Sequence, residues 1–219
     1  MPKNFNKYIV DFHQYWFQFS DQLELSFQKS EKIYQILLTA YTEPQRHYHT
    51  VQHIVECIAL FQQVKSDIRK PELVEMAIWF HDVIYDPRAK NNEFKSAEMM
   101  KDVCFGIFDL NEIETIYEWI LATQKHEATH DNDLCYLLDI DLSILSASKN
   151  RFLEYEIQIR NEYAFVEHKM YKQKRVEVLQ YFYMMDSIYK TSFFREMSEV
   201  KAKDNLIKYI HNETLKKAK

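Results

Sequence analysis

The chain carries a single glycine, Gly106, in 219 residues, where average usage of about 7 % would supply roughly fifteen. Glycine-rich phosphate cradles, of the P-loop or the dinucleotide-binding type, need several glycines for close backbone approach, so neither can be built here. Any phosphate must instead be held by a metal, by Arg and Lys side chains, or by a helix N-terminus. The same scarcity disfavours tight hairpins and, with them, an all-β fold.

Other absences narrow the field further. Lys and Arg form no long run before the tail "KKAK" at 216–219, and the net charge is −5, so nucleic acid is not an expected partner. No apolar run approaches the roughly 18 residues of a membrane span, and the first residues, "MPKNFNKYIVDFHQYW", lack the apolar core of a signal peptide. No membrane association is expected, and the expected compartment is the cytoplasm. The cysteines, Cys57, Cys104 and Cys135, are odd in number and sit in apolar stretches, which predicts reduced core thiols.

What is present suits one globular domain. Hydrophobic residues make up 47 % and charged residues 28 %, and 15 Tyr with 15 Phe supply large, rigid core pieces. The expectation is an all-α bundle over 1–219, with a core at about 45–145 and further helices at about 149–212. Phe12, Tyr15, Trp16, Phe19 and Leu23 recur at spacings of three and four, predicting helix from Asn6 to about Tyr41. A second helix is expected from about Tyr48 to Val64. Pro71 suits the first turn of "PELVEMAIWFHDVIY", which should stop before Pro87. Helices are expected in "EFKSAEMMKDVC" and "NEIETIYEWILATQKH", and the neighbours of "LCYLLDIDLSILS" favour helix there too.

The polar residues inside apolar stretches carry the chemistry. In "LLDIDLSIL", Asp139 and Asp141 stand among apolar neighbours, where an unpartnered carboxylate is costly and a bound cation relieves the cost. Two residues apart on a helix, they point about 200° from each other, so both are not expected on one ion. His81 and Asp82 end the apolar "AIWFHDVIYD", offering an imidazole nitrogen and a carboxylate oxygen to one point. In "HYHTVQH", His49 and His53 fall on one helical stripe with Cys57; His53 is expected inward and His47 in solvent. Each fragment alone has a structural explanation, such as a helix-end histidine or a core histidine bonded to a carbonyl. Together, two imidazoles and two carboxylates could fill four positions around one ion.

At "YHTVQHI", "AIWFHDVIYD", "NEFKSA" and "DIDLSIL" the chain resembles the HD-domain metal-dependent phosphohydrolases, closest to a small bacterial group of predicted members. The similarity runs over about 45–210; Ser146 and Lys174 stand where that group often has glycine. The resemblance implies an all-helical fold and a divalent ion (Mn, Fe, Co, Ni, Zn or Mg) held by His53, His81, Asp82 and Asp141. Asp139 is the alternative fourth ligand. It implies hydrolysis of a small-molecule phosphate ester, such as a nucleotide, by metal-activated water, with Asp82, Glu93 and His126 as candidate catalytic groups. Candidate substrate contacts are His49, Lys95, Arg160 and Arg175. Glu93 also suits the first turn of a helix, and Arg160 could instead pair with Glu156 or Glu162. Two other functions fit the same residues: a nucleotide-sensing or protein-interaction domain without turnover, and a di-iron oxygenase recruiting His49, His126 or His130.

Overall fold

The computed structural model describes residues 5–215, and among them all regular structure is helical. Ten α-helices follow one another: α1 (Phe5–Gln22), α2 (Phe27–Tyr41), α3 (Val51–Val64), α4 (Pro71–Phe80), α5 (Asn92–Cys104), α6 (Leu110–Ala122), α7 (Asn132–Asp141), α8 (Lys149–Glu162), α9 (His168–Met184) and α10 (Ser192–Leu215). Short 3-10 turns cover Lys65–Asp67 and Leu142–Ser146. The described residues group into two compact units that divide after Ile140, between the two aspartates of "DID".

In the first unit α4 is the central element. Every residue from Leu73 to Phe80 is buried, which identifies a helix enclosed on all sides rather than one with a wet face. Its Trp79 meets Trp16 edge-on at 5.4 Å and Phe12 at 4.9 Å, so the aromatic face of α1 closes over it. Trp16 in turn donates its indole N–H to the Ser30 carbonyl of α2 at 3.0 Å. Pro71 opens α4, where its missing N–H costs nothing. Just before it, the backbone N–H groups of Arg69 and Lys70 donate to the Asp133 carboxylate at 3.0 and 2.8 Å.

The first helix expected from the sequence is two. α1 ends at Gln22, Glu24 adopts φ +53°, and the N–H of Leu25 returns to the Ser20 carbonyl at 3.0 Å. This is the left-handed terminus that glycine ordinarily supplies. Here glutamate occupies it, and Ser26 then caps α2 by accepting from the Lys29 N–H. α3 starts at Val51 behind the Thr50 cap, so His49 precedes the helix instead of sharing its stripe with His53.

In the second unit α10 packs on α9 and on the Leu142–Ser146 turn, with Tyr189 and Phe194 fully buried. A buried ion pair joins α8 and α9: Arg175 donates from Nε and Nη2 to both oxygens of Glu156, at 3.0 and 2.6 Å. None of the three cysteines forms a disulfide; Cys57 and Cys104 are buried, as expected of core thiols, and Cys135 is half-buried.

Candidate metal centre

Three side chains of the first unit converge. His53 Nε2 lies 3.1 Å from His81 Nε2 and 3.5 Å from Asp82 Oδ2, and His81 Nε2 lies 3.1 Å from the same oxygen. α3 supplies His53 from its buried face, and α4 supplies the other two at its C-terminal end, where His81 is the capping residue. The negative pole of the α4 dipole therefore points to where these atoms meet, an environment that favours a cation.

The donor set fits a divalent ion. Atoms with these separations lie on a circle of radius about 1.9 Å, so one point sits at the usual bond length of about 2.0–2.2 Å from all three. Both imidazoles are almost wholly buried, which leaves two ring nitrogens facing each other away from water. His81 Nδ1 donates to the Ile78 carbonyl 2.9 Å away, a helix-end bond that orients the ring with Nε2 toward the centre, where an incoming ion would displace the Nε2 proton. Among the described residues, His53, His81 and Asp82 form the group of His, Cys and acidic side chains able to hold an ion. No family model, curated protein or solved structure matches this chain.

Electrostatics agree with the geometry. Burial would raise the Asp82 carboxyl, but the His81 and His49 imidazoles and hydrogen bonds from His53 and His81 hold it well below the usual carboxylate range. The carboxylate is thus ionised and ready to act as an oxygen donor. His49 Nε2 stands 4.0 Å from Asp82 Oδ2, its ring stacked on Tyr85 at 3.9 Å, and Tyr48 lies against both His49 and His53. His49 is a fourth imidazole-or-carboxylate group beside the three, reached from the turn before α3.

The turn after α4 is pinned by α5. Ser96 Oγ accepts from the Ile84 N–H at 3.0 Å, and the Asn92 amide bonds both N–H and carbonyl of Asp86. Glu93, next to Asn92, stands in the first turn of α5 and accepts a 3.0 Å hydrogen bond from Gln124. The cap at Asn91 makes no side-chain hydrogen bond.

The remaining expected residues are distributed as follows. Lys95 is exposed on α5. His126 ends α6 in the left-handed region at φ +53°, its N–H on the Ala122 carbonyl, while His130 and His47 are exposed. Asp139 is fully buried in the first unit; Asp141 is half-buried and opens the second. Arg160 and Arg175 belong to the second unit. Arg160 donates to the Tyr163 and Val166 carbonyls and lies over the Tyr171 ring, in place of a pairing with Glu156 or Glu162; Glu156 is taken by Arg175. One participant carried no signal in the sequence: Arg46, two residues after Pro44, is buried and bonded to the Asp82 backbone.

Proposed function

We propose that the protein is a metal-dependent phosphohydrolase of the HD type, acting on a small-molecule phosphate ester. The observation that carries this reading is the convergence of His53 Nε2, His81 Nε2 and Asp82 Oδ2 on one point, in the residue order the sequence resemblance implies. Bound there, a divalent ion would polarise a phosphoryl oxygen and lower the pKa of a coordinated water.

The chain's own residues have separable tasks. The Ile78 carbonyl holds the His81 ring through Nδ1, so Nε2 is the nitrogen presented to an ion, which would displace its proton. Asp82 stays ionised and contributes negative charge. His49, braced by Tyr85 and Tyr48, is the side chain best placed to donate a hydrogen bond to a phosphoryl oxygen at the same centre. Glu93, tethered by Gln124 at the head of α5, is the candidate to orient or accept a proton from the attacking water. The group that converges is His53, His81 and Asp82; a fourth ligand, Asp141 or alternatively Asp139, is implied by the sequence resemblance alone.

The test is phosphate release from a panel of nucleotides and simple monoesters and diesters, with Mn, Co, Ni, Zn or Mg supplied. Activity that disappears in His81→Ala and Asp82→Asn, with both variants folded, supports the reading. Tight nucleotide binding without product would favour the sensing domain, and iron-dependent oxygen consumption would favour the oxygenase. Metal content of Asp141→Asn set beside Asp139→Asn decides the fourth ligand.

A further inference from the structure

We propose that Arg46 is the positioning residue of the metal centre, fixing the backbone from which Asp82 and His49 project while touching no ligand atom itself. The inference rests on the metal reading above. Its guanidinium binds three stretches of chain at once. Nη1 donates to the Asp82 carbonyl at 2.6 Å and to the His49 carbonyl at 3.3 Å, Nη2 donates to the Val83 carbonyl at 2.8 Å, and Nε donates to Glu43 at 2.8 Å. The Tyr41 and Tyr85 rings flank it, with centroids 5.3 and 5.7 Å away.

The arrangement follows from where α4 stops. Beyond His81 there is no further helical turn, so the carbonyls of Asp82 and Val83 have no intrahelical donors, and Arg46 supplies them from the α2–α3 connection. The side chain is 1 % exposed, and a buried guanidinium is expensive to desolvate. Its planar fork of five donors reaches carbonyls that diverge in direction, which the point charge of lysine cannot do. Tyr85, one of its two flanking rings, is also the ring on which His49 stacks, so this ring links the Arg46 guanidinium to the His49 imidazole.

The test is Co²⁺ titration of the full chain after chelator treatment, following affinity and the visible absorption bands that report coordination geometry. The set is wild type, Arg46→Lys, Arg46→Met and Glu43→Ala, each with its melting temperature. Arg46→Lys and Arg46→Met are expected to bind Co²⁺ about 10–100-fold more weakly, with altered bands. Glu43→Ala keeps the guanidinium and frees only its Nε, so a smaller loss with the same direction of spectral change is expected. Wild-type affinity and spectrum in the folded Arg46 variants would overturn the proposal and leave the metal centre standing. Should both Arg46 variants fail to fold, an unaltered affinity and spectrum in Glu43→Ala overturns it. Absence of Co²⁺ binding by the wild type is a different failure: it removes the metal reading and this inference together.

Discussion

Glu75 gives the sharpest stability test, because it is an acid enclosed in the helix that delivers His81 and Asp82. It is 1 % exposed, its Oε2 accepts no hydrogen bond, and the Lys65 ammonium stands 3.6 Å away. Burial pushes the carboxyl up from 4.5 to about 7, with Lys65 opposing the rise only in part. An acid that binds its proton more tightly when folded contributes stability that is fully present below pH 4.5 and is lost as the pH rises through 7. The distance between those two values corresponds to about 3 kcal/mol, of which about 2.5 kcal/mol falls between about pH 5 and about pH 8. Glu75→Gln replaces the protonated acid by a neutral amide of the same shape and removes this pH dependence. Urea unfolding of both proteins at the two pH values should show the variant gaining about 2–3 kcal/mol on the wild type from the lower to the higher. Parallel pH curves for the two proteins would refute the argument.

Other outcomes follow from single observations. Asp109→Ala removes a capping box in which Asp109 accepts from the Asn111 and Glu112 N–H groups; thermal unfolding should show a loss of about 1 kcal/mol. Arg175→Met strands the buried Glu156 carboxylate and should cost about 3–5 kcal/mol, most of it recovered in the Arg175→Met, Glu156→Leu double variant, as chemical denaturation would report. Glu24→Gly relieves a left-handed backbone and should stabilise the protein by about 0.5–1 kcal/mol, read as a raised melting temperature.

α3 and α5 lie within a few residues of their expected spans, whereas α4 stops at Phe80 rather than just before Pro87, and α6 at Ala122 rather than His126. The break between α1 and α2 was hidden by the scarcity of glycine. The left-handed turn that would be marked by glycine is made by Glu24 instead, and the same is true of His126 at the end of α6. His53, His81 and Asp82 were legible as polar residues inside apolar runs, since burial without a partner is costly and so is informative. Arg46 was not, because its partners are carbonyls near residues 49 and 82–83, and contacts to a backbone leave no pattern in side-chain chemistry. The choice between Asp139 and Asp141 stood open in the sequence for a related reason: both are flanked by the same apolar residues, and the division between the two compact units runs between them.

Isothermal titration of Mn²⁺ or Co²⁺ into chelator-treated protein, with His81→Ala as the control, addresses the centre directly. Saturable binding near one ion per chain is expected, lost when the His81 imidazole is removed from a folded protein. Equal binding by the two proteins, or none by the wild type, would contradict it.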